Sequence, residues 1–324
     1  MQKICVNMEY LILILSLAGI VLGADFLVKG AVVVARKCRV SSFVIGAVIV
    51  GIGTSLPELV VSTVGAIGGN SEVAIGNVVG SNIFNVFAIL GLTALFFPIA
   101  VSRENMKFEI PFCIAVSILL MLLVYNFFIV GEPRLGRWDG AALLLVFTSF
   151  MWISLRRGKS SAATVGESVE EENKSLWFAA FSILGGLAAL IVSSNFFVDE
   201  AVAIARKLGV SDAFISITLL ACGTSLPELA ASVTAAVKKD TDMALGNIIG
   251  SNIFNATMIL GTASLITPLT TGKIGLVDYG AMILAAVLPM IFGIRGKITR
   301  IEGLLMLLCY AAYTWYIVTY VMAV

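Results

Sequence analysis

Two glutamates stand inside otherwise apolar stretches, each one residue after a proline. Glu58 lies in Gly53-Thr-Ser-Leu-Pro-Glu-Leu59 and Glu228 in Gly223-Thr-Ser-Leu-Pro-Glu-Leu229. A carboxylate in such surroundings is costly and needs a partner, a proton or a task. The proline has no N–H, so a carbonyl one turn earlier is released, near Gly53 and near Gly223. Hydroxyls from Thr54, Ser55, Thr224 and Ser225 sit beside the two acids, and no basic side chain is close in sequence. This donor set suits a metal cation.

On a helix, Thr54 and Glu58 share a face, which Gly51 and Ser62 extend by a turn each way. The second copy of the stripe is Ala221, Thr224, Glu228 and Ser232. A further polar stripe follows each glutamate: Asn77, Ser81 and Asn85, then Asn247, Ser251 and Asn255, all at four-residue spacing. Ser81, Asn85, Ser251 and Asn255 read as site lining, because their spacing matches the glutamate stripe. Asn77, Asn82, Asn247 and Asn252 read as glue between membrane helices.

Every candidate donor is a hard oxygen. Ca²⁺ takes six to eight such ligands in flexible geometry, whereas Mg²⁺ demands a tighter octahedron. Transition metals favour His or Cys, which this site lacks. One Ca²⁺ neutralises two carboxylates. Emptied, the acids repel each other at low dielectric and must take up other cations or protons. A site that is costly to leave empty exchanges one ion for another.

The elements that must position these residues are membrane helices. The chain has 324 residues, 59% hydrophobic and 13% charged, with no histidine. Too little charge is present to cover a soluble protein of this length. Apolar runs near 20 residues recur along the chain. The spacing predicts ten spans near 10–34, 42–67, 73–97, 108–130, 138–155, 176–204, 212–236, 243–268, 276–294 and 301–322. The first could pass for a signal peptide, but its counterpart in the second half assigns it to the fold. A net charge of +1 argues against a nucleic-acid partner. Five scattered cysteines without CxxC spacing read as small apolar filler.

The halves repeat at a constant offset of 170 residues. Gly53–Ser62 matches Gly223–Ser232 at eight of ten positions, and Gly76–Asn85 matches Gly246–Asn255 at eight of ten. The expected architecture is an all-α polytopic membrane protein of ten transmembrane helices. Residues 1–155 form one five-helix repeat and 176–324 the other, with a polar cytoplasmic linker at 156–175. The segments that repeat most closely lie near 42–97 and 212–268. Five spans per repeat is odd, so the second copy enters the membrane inverted, as in secondary transporters whose site lies where the repeats meet. With the N-terminus outside, fourteen Lys and Arg fall on the inner side and six on the outer. That asymmetry puts both termini outside.

The two Gly-Thr-Ser-Leu-Pro-Glu blocks and the two Gly-Asn-x-x-Gly-Ser-Asn-Ile-Phe-Asn blocks resemble the α-repeats of the cation/Ca²⁺ antiporter superfamily. The likeness extends over the whole chain and is greatest to prokaryotic Na⁺/Ca²⁺ exchangers. The resemblance implies that Glu58 and Glu228 are carboxylates shared by Ca²⁺ and Na⁺. It also implies lining by Thr54, Ser55, Thr224 and Ser225, with backbone carbonyls from Gly51, Thr54, Ala221 and Thr224. Ser81, Asn85, Ser251 and Asn255 would complete the site. Spans 1 and 6 would slide across the other helices to alternate access. One departure is Asn255, where some archaeal members and the K⁺-dependent branch carry Asp. Two formal charges instead of three disfavour K⁺ co-transport. The Ca²⁺/H⁺ branch typically carries Glu where Gly80 and Gly250 stand, which disfavours proton coupling.

The expected function is a plasma-membrane antiporter that expels Ca²⁺ using inward Na⁺, with a Ca²⁺/H⁺ antiporter as the alternative. Ca²⁺ and Na⁺ are its substrates, with no cofactor and no obligatory protein partner. A membrane hydrolase is disfavoured, because two near-identical acid environments do not separate acid from base. A passive channel would need a continuous pore, often built from several subunits.

Overall fold

The first apolar run contains no proline, and it forms a single helix, α1 (Gln2–Cys38). A computed structural model describes residues 2–125, 133–160, 175–209 and 221–321. Helix α1 has 37 residues, about 55 Å at the α-helical rise. That exceeds the apolar thickness of a bilayer, so a spanning helix of this length must tilt.

The second run breaks where the proline falls. Helix α2 (Ser42–Thr54) and helix α3 (Leu56–Ile67) meet at Ser55 with a bend of 47°. Pro57 sits in the first turn of α3, where its missing N–H is tolerated, but it cannot continue the ladder of α2. A broken helix was expected from the Gly and Pro residues, and it is observed here.

Helix α4 (Ser71–Phe96) follows, then α5 (Arg103–Tyr125) and α6 (Arg137–Gly158). The second half begins with α7 (Leu176–Lys207), then the short α8 (Ala221–Gly223) and α9 (Leu226–Val237). Next come α10 (Thr241–Ile266), α11 (Leu276–Gly293) and α12 (Arg300–Tyr316). Eight of these helices are long and apolar enough to cross a bilayer, and the bent pair α2–α3 makes up to nine. The expected span 212–236 begins outside the described residues, and its described part is α8 and α9. Most of the 156–175 linker and the C-terminal ends of the 108–130 and 301–322 spans also lie outside them.

Helices α4 and α10 form the centre. They bury 78% and 83% of their most apolar windows, against 22% for α7 and 11% for α12. The peripheral helices turn large apolar side chains outward, among them Leu11, Ile14, Trp177, Phe181, Ile301 and Leu308. Such an outward face fits lipid as its solvent. Helix α6 packs on the C-terminal end of α10, and α12 packs on that of α4. Two short antiparallel pairs tie loop ends together. Strand β1 (Ile99–Ala100) pairs with β4 (Lys297–Ile298), and β2 (Arg134–Leu135) pairs with β3 (Leu269–Thr270).

Local geometry follows the 170-residue offset. Asn70 caps α4 by accepting from Val73 N, and Asp240 caps α10 by accepting from Met243 N. The turns before these caps need a left-handed residue, met by Gly69 (φ 76°) in one half and Lys239 (φ 65°) in the other. Helices α1 and α7 lie against each other through small residues. A Cβ on Gly186 would stand 2.6 Å from the Leu27 nitrogen. One contact has no counterpart. Asp25 on α1 pairs with Lys29, as its i, i+4 spacing predicts, at 2.6 Å, and also with Lys238 after α9 at 2.7 Å. The positions offset from these three are Asn195, Asp199 and Gly68, which cannot form that triad.

Candidate ion site

The break at Ser55 decides where its hydroxyl goes. Ser55 has φ −85° and ψ 10°, and Ser225 has φ −92° and ψ 8°. Neither side chain caps the helix that follows. Each reaches across to the other half instead. Ser55 Oγ donates to Glu228 Oε1 at 2.7 Å, and Ser225 Oγ donates to Glu58 Oε1 at 2.9 Å. Each serine precedes one glutamate by three residues and bonds the other. Both glutamates and both serines are 0% exposed. The structure therefore brings the two acids into one crossed cluster at the junction of the halves.

Helices α4 and α10 close the cluster. Ser81 Oγ lies 3.5 Å from Glu58 Oε1 and 3.3 Å from Ser225 Oγ. Ser251 takes a different partner, donating to the Gly51 carbonyl at 3.2 Å. Thr54 Oγ1 donates to Val50 O at 3.0 Å and lies 3.3 Å from Asn247 Oδ1. Gly51 O also accepts from Ser55 N at 3.1 Å, so both its lone pairs are occupied. Ala221 opens α8 at the edge of the described residues.

The remaining oxygens are the informative ones. Glu58 Oε2, Glu228 Oε2, Asn85 Oδ1, Asn255 Oδ1 and Thr224 Oγ1 are buried with no hydrogen-bond partner. Native interiors rarely leave such atoms bare, and each costs about 1–3 kcal/mol if nothing meets it. Four of the five can only accept when the carboxylates are ionised. Among the described residues, neither glutamate forms a salt bridge. Accepting oxygens from four broken or bulged helical segments call for a donor or a cation, and a water, a proton or a metal ion can each supply it. Both asparagines sit where α4 and α10 widen into π-helical turns, Asn85–Leu90 and Asn255–Ile259. Such turns often mark functional sites.

Asparagines assigned to helix glue do more than that. Asn77 Nδ2 donates to the Glu58 carbonyl at 3.2 Å and to Ser62 Oγ at 3.0 Å. Asn247 repeats both bonds with Glu228 O at 3.2 Å and Ser232 Oγ at 2.8 Å. They hold the backbone that carries each glutamate. Their signal in the sequence is duplication: both pairs recur at the same offset as the acids they support. Asn82 and Asn252 do bridge α4 and α10, as expected of glue.

Most of the chain matches known proteins. Residues 8–156 and 178–319 fit the family model described as sodium/calcium exchanger protein, and the chain belongs to that family. The putative antiporter CaxA of Alkalimonas amylolytica is 36% identical over 315 residues, covering 93% of this chain and 97% of that protein. The sodium/calcium exchanger MaX1 of Methanosarcina acetivorans is 34% identical, covering 95% and 98%. A solved structure of the sodium–calcium exchanger NCX_Mj, soaked with Na⁺ and without Ca²⁺, superposes with a TM-score of 0.82 at 32% identity. It covers 97% of this chain and 99% of that one. The protein is thus a helical, multi-pass membrane protein of a family of cation/Ca²⁺ antiporters.

Proposed function

We propose that this chain exchanges Na⁺ for Ca²⁺ across the plasma membrane by alternating access, expelling Ca²⁺ as Na⁺ enters. Ten helices in two inverted five-helix repeats would carry it, with both termini outside and the 156–175 linker in the cytoplasm. The observation that carries the reading is the set of buried, unpartnered oxygens on Glu58, Glu228, Thr224, Asn85 and Asn255, together with the crossed serine bonds that join the two acids. Ca²⁺ balances the two charges and offers coordination to several oxygens at once. Na⁺ ions can satisfy the same acceptors in its place. A bare pair is disfavoured, because removing charges from water costs several kcal/mol per ion even after relaxation. The ion therefore leaves when its replacement arrives.

In this reading Glu58, Glu228, Ser81, Asn85, Asn255 and Thr224 contribute side-chain oxygens. Ser55 and Ser225 act first as donors to the empty carboxylates and turn their lone pairs inward when a cation binds. Thr54 and Ser251 donate their protons to backbone carbonyls and keep hydroxyl lone pairs for a cation, the Ala221 carbonyl adds to them, and the Gly51 carbonyl, already accepting from Ser251 and the Ser55 N–H, joins only after local rearrangement. A second reading, exchange against protons, draws support from the same atoms, since a proton on Glu58 Oε2 or Glu228 Oε2 would also satisfy them. Purified protein in liposomes distinguishes the two through ⁴⁵Ca²⁺ uptake. An outward Na⁺ gradient at equal pH should drive uptake. Uptake driven by a pH gradient and indifferent to Na⁺ would replace the first reading with the second.

A further inference from the structure

Four asparagines form a closed polar relay between α4 and α10. Asn252 Nδ2 donates to the backbone carbonyl of Asn82 at 3.1 Å, and Asn82 Nδ2 donates to that of Asn252 at 3.1 Å. A backbone carbonyl can only accept, so these two bonds dictate which end of each amide is NH₂. The oxygen of Asn252 then meets Asn85 and accepts from its Nδ2 at 3.0 Å. The oxygen of Asn82 accepts from Asn255 Nδ2 at 3.1 Å. With its nitrogen held, each amide turns its oxygen the other way. Those two oxygens, Asn85 Oδ1 and Asn255 Oδ1, are the ones left without a partner. All four side chains are at most 3% exposed.

We propose that Asn82 and Asn252 are positioning residues of the ion site, holding Asn255 and Asn85 with oxygen, and not NH₂, toward the cation. The proposal rests on the function given above. The terminal torsion of asparagine is broad and nearly two-fold, so an unheld amide turns over readily. A turned amide presents N–H donors to a cation and repels it. The pairing is crossed: Asn82 orients Asn255, and Asn252 orients Asn85.

Crossed substitutions test this on the full chain in liposomes, reading KM for Ca²⁺ separately from maximal rate, with equilibrium Ca²⁺ binding and melting temperature alongside. Asn82→Leu and Asn252→Leu keep the forked heavy-atom shape and remove the relay. Each should raise KM about 10–100-fold, as loss of an outer partner does at metal sites. An aspartate presents oxygen whichever way it turns. In an Asn255→Asp background, Asn82→Leu should therefore cost about twofold or less, while in an Asn85→Asp background it keeps its full effect. Asn252→Leu should show the reverse pattern. Where a Leu variant does not fold, Asn82→Thr and Asn252→Thr replace it, since a hydroxyl both donates and accepts and cannot impose a direction. Equal losses in both backgrounds, or losses that follow melting temperature, would overturn the proposal and leave only helix packing. Wild-type protein that neither binds nor exchanges Ca²⁺ would instead refute the function itself.

Discussion

Ser55 bonds Glu228, the acid of the opposite half, at 2.7 Å, and not Glu58 three residues along its own chain. Ser225 reciprocates with Glu58 at 2.9 Å. The halves are thus joined through their most polar atoms. These bonds belong to the ion-free site and give way when a cation binds, so what each serine adds to binding is its hydroxyl oxygen. Ser55→Ala and Ser225→Ala should each lower apparent Ca²⁺ affinity about tenfold or more, and by similar factors, through loss of that oxygen. Calcium dose–response curves on the two variants check this; a large loss in one and none in the other would contradict the shared role.

Glu58→Gln and Glu228→Gln keep shape and remove one charge. Each should reduce Na⁺-driven Ca²⁺ uptake to background. Burying a neutral amide costs less than burying a carboxylate, so melting temperature without ions should stay level or rise. Thermal denaturation followed by size-exclusion chromatography checks the second half of the prediction. A fall in both activity and stability would make the acids structural.

Gly250 lies where α10 crosses α2. An added Cβ would stand 2.4 Å from Ala47 Cα and 2.6 Å from Ala47 O. Backbone cannot yield as a flexible side chain can. Gly250→Ala should destabilise the protein by about 1–3 kcal/mol, visible as a lower melting temperature and reduced yield. Unchanged stability would mean that α2 and α10 are not held this close.

Lys239 occupies a left-handed turn at φ 65°, where the other half has Gly69 at φ 76°. A side chain there costs about 1–2 kcal/mol, which glycine avoids. Lys239→Gly should therefore raise the melting temperature slightly, while Gly69→Lys lowers it. A matched pair of thermal scans reads both signs.

The large elements were legible in the chain because their causes are local. Apolar length marks the helices, and Pro57 marks the break between α2 and α3. The offset of 170 marks which residues correspond. The pairing of Ser55 with Glu228 was not legible, because a linear stripe places Ser55 beside Glu58 and says nothing of which acid it faces across the junction. Gly51 shows the same limit. The family resemblance offers its carbonyl to a cation, yet Ser251 and the Ser55 N–H both bond it. The double duty of Asn82 and Asn252 was hidden for a related reason. Bridging two helices and aiming an amide use the same residue type at the same spacing, and only the bond directions separate them.

The central claim is that Glu58 and Glu228 form one site that Ca²⁺ and Na⁺ contest. Equilibrium Ca²⁺ binding to the purified protein, titrated with Na⁺, tests it most directly. Ca²⁺ should bind at a single saturable site, lose apparent affinity steadily as Na⁺ rises, and fail to bind Glu58→Gln or Glu228→Gln. Binding that ignores Na⁺, or that survives both substitutions, would contradict the account.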